Sequence, residues 1–234
     1  MQVSWLAKKR KGRGMLLRDR IYRMIRHSIL NWEFKPGQEL REQTLAERYK
    51  ISRSPIRDSL LRLEQERLVT VLPRQGYRVM PISLADAADV AALRLIIEPA
   101  CAAGAARADD AAVKALDEFR DISGDDTPQA LFGAYNCAFH NAVAVLCGNK
   151  RKAAVARDLM DHSTRAVQAA MPAVDGASVE TLVTEHCLLI DAIQAHDADA
   201  AYRLAYSHAE SGYKVILTAL RKYADEQDGG IITE

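Results

Sequence analysis

Residues 51–67 have the sequence ISRSPIRDSLLRLEQER, and this stretch decides the fold of the first third of the chain. Ser52 or Ser54 can cap a helix here, and Pro55 falls in its first turn, where a missing backbone N–H costs nothing. Apolar residues follow at helical spacing: Ile56, Leu60, Leu63 and Leu68. The pattern predicts a short amphipathic helix that runs to about Arg67.

Two more helices and a hairpin surround this segment. An apolar stripe within residues 16–31 predicts a first helix, and its members are Leu17, Ile21, Met24, Ile25 and Ile29. Pro36-Gly37 breaks the chain, and a second short helix is predicted over 42–49. Two β-prone runs, 68–72 and 77–80, flank the turn sequence Pro-Arg-Gln-Gly and predict a hairpin. Three helices followed by a hairpin form a winged helix-turn-helix.

The charge is divided unevenly along the chain. Residues 1–80 have 19 Lys and Arg against 8 Asp and Glu, net +11, whereas residues 81–234 have 13 against 23, net −10. A basic domain joined to an acidic one suggests that the first meets a polyanion and the second does other work.

The N-terminal end of the predicted recognition helix has the chemistry of base readout. Arg53 and Arg57 lie four residues apart on one face, and the planar guanidinium can grip O6 and N7 of guanine together. We therefore expect these two arginines to read the major groove of double-stranded DNA. The other expected DNA contacts are Ser52, Ser54 and Thr44 on phosphates, with Arg74 and Gln75 of the wing tip in the minor groove.

Composition limits the class of protein. The chain has 234 residues, of which 49% are hydrophobic and 27% charged, and it shows no apolar run of the roughly 18 residues that a membrane span needs. No apolar segment follows the basic N-terminus, so a cytoplasmic protein with no membrane partner is expected. The four cysteines are widely spaced without a CxxC pair, which argues against disulfides.

From Ser83 onward the sequence predicts helices only. Alanine-rich amphipathic runs cover 84–107, 109–122, 128–147, 149–170, 178–195 and 197–224, which indicates an all-α bundle of six or seven helices. GxGxxG, GxxxxGK[ST], GxSxG and HExxH do not occur. The sequence therefore gives no motif for a common cofactor or hydrolase.

Histidines are the candidate ligands of this bundle. Asn136 and His140 lie four residues apart and share a helix face, while His186 and His208 fall on the last two helices. Three imidazoles on separate helices could converge on a cation. The alternative is that they are ordinary packing or surface residues.

The run from Pro36 to Val79, PGQELREQTLAERYKISRSPIRDSLLRLEQERLVTVLPRQGYRV, resembles the DNA-binding domain of the GntR family of bacterial transcription regulators. The base-contacting arginines of that family match Arg53 and Arg57. Gln43 stands where some members have another DNA-contacting arginine, and Arg67 stands where a glycine is common.

The second half resembles the FCD effector domain of the FadR-type branch of that family. The matching segments are LRLIIEPACAAGAA (93–106), NCAFHNAVAVLCGN (136–149), EHCLLIDAIQAHDADAA (185–201) and His208. The resemblance implies a divalent metal on Asn136, His140, His186 and His208, with a small carboxylate effector anchored to it. Zinc is the expected metal, with nickel or manganese as alternatives, although Asn136 replaces a carboxylate and weakens the site.

Arg94 matches an arginine that faces the effector pocket in such domains, and its fork could clamp the effector's carboxylate. The alternative is an ion pair with Glu98 one turn later.

The sequence predicts four parts: a basic tail over 1–15, a winged helix-turn-helix over 16–81, an FCD-like helical domain over 82–226 and a flexible tail over 227–234. The expected function is a DNA-binding regulator without enzymatic activity, a repressor controlled by an organic acid. Useful specificity needs two copies on a palindromic operator, so a homodimer is expected.

The competing hypotheses are a metal-dependent hydrolase, for which no general base is evident because Glu185 should point away from His186, and an architectural DNA-binding protein with an inert bundle.

Overall fold

A computed structural model describes residues 16–122, 128–171, 174, 176–226 and 232–233. The expected tail over 1–15 lies outside these residues. Among the described residues the chain divides into two compact units, one of them Leu84–Glu226 and the other Leu16–Ser83 together with Ile232 and Thr233. The first unit along the chain contains three helices and a small sheet, and the second is helical. The predicted fold class is therefore confirmed.

The winged-helix unit, the first along the chain, has the predicted order of elements with one addition. Its elements are α1 (Leu17–Leu30), β1 (Glu39–Leu40), α2 (Glu42–Tyr49), α3 (Arg53–Gln65), β2 (Val69–Leu72) and β3 (Gly76–Val79). β2 and β3 form the antiparallel hairpin of the wing, with Val69 opposite Val79. The two-residue strand β1, which the sequence did not predict, pairs with the other edge of β3, Glu39 opposite Arg78.

A single apolar core holds these elements together. Its fully buried members include Ile25, Ile29, Ile56, Leu60 and Leu63, so the inner faces of α1 and α3 agree with the predicted spacing. The predicted stripe of α1 was wrong at its edges. It included Leu17 and Met24, which are exposed, and it left out Tyr22, Ser28 and Leu30, which are buried beside the i, i+4 series Ile21, Ile25 and Ile29.

Both ends of α3 differ from the prediction in ways that backbone chemistry explains. Ser52 is the N-cap residue, but its side chain makes no capping hydrogen bond, and Pro55 at the third helical position lacks the N–H that such a cap usually meets. At the other end the helix stops at Gln65, because Arg67 has a left-handed φ of 55°. Leu68 is buried, but it lies beyond the helix.

The helical unit consists of six α-helices and one 3₁₀ turn among its described residues. They are α4 (Leu84–Ala105), α5 (Asp110–Lys114), the 3₁₀ turn (Ala115–Phe119), α6 (Pro128–Leu146), α7 (Lys150–Ala170), α8 (Gly176–Gln194) and α9 (Ala198–Glu226). α4 lies against α9, α7 and α6. It approaches α6 closely, since a Cβ on Gly104 would meet the carbonyl oxygen of Cys147 at 2.7 Å.

Two residues near the C-terminus are paired. Ile232 and Thr233 (β5) form a parallel ladder with Ile82 and Ser83 (β4), whereas a flexible tail was expected over 227–234. The other residues of that segment lie outside the description. All four cysteines are free thiols, as expected. Within the described part of the chain, every helix is too short or too polar to cross a membrane.

Replacing Arg67 with glycine should stabilise the winged-helix unit. A left-handed conformation costs a residue with a Cβ about 1–2 kcal/mol, and glycine is free of this cost but loses more chain entropy. We expect a net gain of about 0.5–1 kcal/mol in urea unfolding followed by the fluorescence of Trp32, which lies in this unit. Arg67→Ala is the control, because it removes the charge and keeps the Cβ. An equal gain in both variants would assign the effect to charge.

Candidate metal centre and DNA-reading face

Three buried histidines from three helices meet inside the helical unit. His140 lies on α6, His186 on α8 and His208 on α9, and all three side chains are buried. The Nε2 atoms of His186 and His208 are 2.9 Å apart, and those of His208 and His140 are 3.3 Å apart. The predicted convergence is therefore present.

The opposite nitrogen of each ring is held by a partner that fixes its proton. Nδ1 of His208 lies 2.7 Å from Glu185 Oε2, and Nδ1 of His140 lies 3.2 Å from Glu98 Oε2. A carboxylate is an acceptor, so both Nδ1 atoms donate. The rings then present unprotonated Nε2 atoms to one another.

Tyr135 fixes the third ring in the same way. Its hydroxyl donates to the carbonyl oxygen of Phe119 at 2.7 Å, and its oxygen lies 3.1 Å from Nδ1 of His186. Because the hydroxyl proton is already used, Nδ1 of His186 donates to this oxygen. All three Nε2 lone pairs consequently point into one small volume.

Burial favours the neutral form of His140 and His186. Burial lowers the pKa of His140, although Glu98 offsets part of the effect, and the pKa of His186 is well below its usual value because of burial and of the neighbouring His208. Burial would raise the pKa of Glu98, but the charge of Arg94 and the hydrogen bonds from His140 and Arg94 outweigh it, so that pKa is lowered. A charged carboxylate thus faces a neutral ring.

The spacing of the nitrogens matches that of ligands on one metal ion. Two imidazole nitrogens at about 2.0–2.1 Å from zinc are about 2.9 Å apart at a right angle and about 3.3 Å apart at the tetrahedral angle. The observed distances are 2.9 and 3.3 Å, and the three ligand atoms all lie within 4.8 Å of one another. Two of the three spacings therefore match those of imidazole ligands on one zinc ion.

Asn136 and Arg94 border the same region. Both line a cavity of ≈ 20 Å³ together with His208, which is room for about one water molecule. The rest of the lining is mostly apolar and consists of Phe132, Val167, Leu182, Gly212 and Ile216. Asn136 is buried, one helical turn before His140.

Arg94 makes the ion pair that was the alternative to effector binding. Its Nε lies 2.5 Å from Glu98 Oε1 and its Nη2 lies 3.3 Å from Oε2, while Nη1 donates to Ser163 Oγ at 2.6 Å. The ion pair and the position at the cavity are both present, so Arg94 connects Glu98, and through it His140, to the cavity.

Sequence reasoning missed the residues that orient the rings. Glu185, which was expected to point to a different helix face from His186, binds Nδ1 of His208 on the facing helix, a contact that the sequence did not predict. Glu98 was considered only as a partner of Arg94, and Tyr135 was not considered. These contacts join different helices, so no spacing along the chain could have revealed them.

At the start of α3, the two candidate readout arginines are held by side chains of α2. Arg57 donates from Nε and Nη2 to the two carboxylate oxygens of Glu42, both at 2.9 Å. Arg53 donates from Nη2 to Gln43 Oε1 at 2.9 Å. The guanidinium of Arg57 is still 60% exposed, so its second edge is open to a ligand.

The remaining predicted DNA contacts are on the surface. Ser52, Ser54 and Thr44 are exposed near the two arginines in the chain, on the α2–turn–α3 segment. Arg74 and Gln75 are exposed in the turn of the wing, where Arg74 has a φ of 65° and the N–H of Gln75 donates to Leu72 O.

Comparisons with known proteins agree with this architecture. The model of the bacterial regulatory proteins of the gntR family matches residues 17–79, and the FCD domain matches residues 89–211. The HTH-type transcriptional repressor GlaR of Escherichia coli K12 is 24% identical over 209 residues, which cover 85% of this chain and 95% of that protein. An HTH-type regulator from an unstable DNA locus of Streptomyces ambofaciens is 30% identical over 197 residues, 83% of each chain.

A solved structure supports the fold. E. coli McbR/YncC superposes with a TM-score of 0.76 at 18% identity and covers 87% of this chain and 98% of its own. The gntR model matches the first unit of the chain and the FCD domain matches the second. The chain therefore belongs to the GntR family of bacterial transcription regulators, in the FadR-type branch with an FCD domain.

Proposed function

We propose that this chain is a transcriptional repressor whose operator binding is controlled by a small carboxylate in the helical domain, bound beside a divalent metal. The observation that supports it most is the meeting of three Nε2 atoms at 2.9 and 3.3 Å. The name of the relative GlaR supports repression. The winged-helix unit, 16–81, would bind DNA, and the helical unit, 82–226, would bind the effector.

The donor set selects the metal. Neutral imidazole nitrogens favour zinc and also suit nickel, whereas manganese prefers oxygen ligands. His140, His186 and His208 would hold the ion, and the amide oxygen of Asn136 would be a fourth, uncharged ligand. Glu98, Glu185 and Tyr135 would orient the rings, as outer hydrogen-bond partners do in metal sites. The bound ion would attract a carboxylate.

Arg94 is the proposed second anchor of the effector. It lies at the cavity next to His208 and Asn136, but its fork is held by Glu98. An incoming carboxylate would therefore replace Glu98 as a partner of Arg94, or share it. Because the cavity holds about one water, binding must also move the apolar side chains of its lining. That rearrangement gives the two conformations that an effector needs in order to change DNA affinity.

DNA recognition is assigned to Arg53 and Arg57, with Ser52, Ser54 and Thr44 on phosphates and Arg74 and Gln75 at the wing. Glu42 occupies one edge of the Arg57 guanidinium and leaves the other edge for guanine. Gln43 holds Arg53 in a similar way, but through a neutral amide oxygen instead of a carboxylate. In this arrangement α2 sets the direction in which each arginine points.

The geometry around the three histidines does not support the hypothesis of a metal-dependent hydrolase. A metal hydrolase needs a general base next to the metal-bound water. The two carboxylates close to the histidines, Glu98 and Glu185, instead accept hydrogen bonds from the Nδ1 side of the rings. We therefore propose binding and signalling rather than catalysis.

Arg57→Ala should weaken operator binding by about 1–3 kcal/mol and relax the base preference at one position of each half-site. The matched control is Arg62→Ala on the same helix, because that guanidinium lies over the Tyr22 ring at 3.6 Å. Binding to a panel of operator variants at fixed salt measures both. Equal loss on all operator variants would show that Arg57 contacts phosphate only.

His186→Ala should remove the metal and the response to effector, while operator affinity without effector stays within about two-fold. Arg94→Lys keeps a positive charge beside Glu98 but loses the fork, so it should keep the metal and weaken the response. Asn136→Asp should tighten zinc retention by adding a charged oxygen. The measurements are bound zinc after dialysis and operator binding with mono- and dicarboxylic acids. A His186→Ala protein with a full response would reject this pocket as the sensor.

The metal-free helical unit should lose stability in mild acid. The folded pKa values of His140 and His186 are lowered, so the unfolded chain takes up protons first as the pH falls below about 6.5. Above that pH the free energy of unfolding has its full value. At lower pH it decreases by up to about 1.4 kcal/mol per pH unit for each histidine. Urea unfolding followed by circular dichroism, with chelator, between pH 7.5 and 5 measures it. In the variant His186→Gln the slope should be smaller, and an unchanged slope would contradict neutral burial.

A further inference from the structure

The cavity beside the histidines changes from polar to apolar along the helices that line it. On α9, His208 is followed one turn later by Gly212 and two turns later by Ile216. On α6, Asn136 is preceded one turn earlier by Phe132. Residues four apart share one face of a helix, so each series lines the cavity from the metal centre outward.

The other two helices of the lining have the same order. On α7, Ser163 accepts a hydrogen bond from Nη1 of Arg94 at 2.6 Å and lies one turn before Val167. On α8, His186 lies one turn after Leu182. Val167 and Leu182 both line the cavity. Four helices therefore each place a polar residue of the centre one turn away from an apolar residue of the cavity.

The apolar residues lie on one side of the three histidines, because they line a single cavity together. The direction of the helices agrees with this. Only residues 195–197 connect α8 to α9, and these two helices lie against each other, as an antiparallel pair does. An earlier residue on α8 is then level with a later residue on α9. The cavity consequently has a polar inner end at the ligand nitrogens and an apolar outer end.

We propose that the effector is an acid with one carboxylate and a short apolar body, which binds with its carboxylate at the inner end and its body at the outer end. The inference rests on the proposed function, because the carboxylate must meet the metal and Arg94. Among the described lining residues, the polar side chains are those of Arg94, Asn136 and His208, all at the inner end. A hydroxyl or a second carboxylate at the far end of the molecule would be buried among apolar side chains, which weakens binding.

The size of the cavity favours a short body. Its ≈ 20 Å³ hold about one water molecule, so even a small acid must shift the side chains of the lining. The interior of a protein is close-packed, and each further CH₂ group would require a larger movement.

Gly212 is the residue that we expect to limit the size of this body. It lies midway between His208 and Ile216 on α9 and lines the cavity. A Cβ on Gly212 would meet Leu182 Cδ2 at 3.8 Å, which is an ordinary van der Waals contact. Alanine would therefore fit the helix, in which glycine is the poorer helix former. The missing methyl group leaves space that an alkyl chain of the effector would fill.

A first experiment tests the class of effector on the parent chain. Butyrate, 4-hydroxybutyrate and succinate each have four carbons and differ only at the far end, which is a methyl group, a hydroxyl or a second carboxylate. Isothermal titration calorimetry with the zinc-loaded full chain measures each dissociation constant. The constant for butyrate should be about 10- to 100-fold lower than that for 4-hydroxybutyrate, and lower still relative to succinate. Equal or tighter binding of either polar acid would overturn the proposed class.

A second experiment tests Gly212 as the residue that determines size. Gly212→Ala should raise the ratio of the dissociation constants of butyrate and acetate about 10-fold or more, because an added methyl group competes with the alkyl chain for space. Ser211→Ala is the matched control, since Ser211 is the neighbour of Gly212 on α9 and is not part of the lining. Both variants are titrated when saturated with zinc. The same ratio in Gly212→Ala as in the parent chain would overturn the role of Gly212.

The inference and the proposed function fail differently. If the zinc-loaded chain binds none of these acids, acetate included, the carboxylate sensor is wrong and the effector class is wrong with it. If succinate or 4-hydroxybutyrate binds more tightly than butyrate, the apolar class is wrong while a carboxylate sensor at the metal stands.

Discussion

Three unprotonated nitrogens face one another at hydrogen-bond distance in a buried space, where their lone pairs repel one another. Glu98, Glu185 and Tyr135 hold the proton of each ring on Nδ1, on the far side from the centre. The Nε2 atoms therefore have no proton with which to form hydrogen bonds to one another. Lone-pair repulsion and the cost of burying polar rings both oppose folding. A cation would reverse both effects and join α6, α8 and α9 at one point. The same ion would therefore stabilise the bundle and form the sensor.

Helix α4 belongs to this centre although it has no histidine. Glu98 ties it to His140, and Arg94 ties it to the cavity and to Ser163 on α7. The same two turns present Leu93 and Ile96 outward. A helix turns by about 100° per residue, so neighbouring residues serve the inner site and the outer face at once. A change of partner at Arg94 would thus act on a helix that also lies against α9, α7 and α6.

The sequence predicted what depends on spacing within one element. The cap and apolar series of residues 52–63 define α3, and the i, i+4 relation of Asn136 and His140 places both on the inner side of α6. The sequence did not predict contacts between different helices and strands. Strand β1 has two residues and no periodicity to detect, and the partner of His208, Glu185, lies on another helix. Leu17 and Met24 were assigned to the core because periodicity gives the direction of a stripe but not its width.

The pairing of α2 with α3 bears on how new binding specificities arise by recombination. Because Glu42 and Gln43 hold Arg57 and Arg53 by hydrogen bonds, the proposed reading element comprises both helices. A chimera that received α3 alone would have the arginines of the donor protein directed by the host's α2, and it would recognise neither parental operator. Exchange of the whole segment from 42 to 65 would transfer the recognition as one module, with its crossovers outside the two helices.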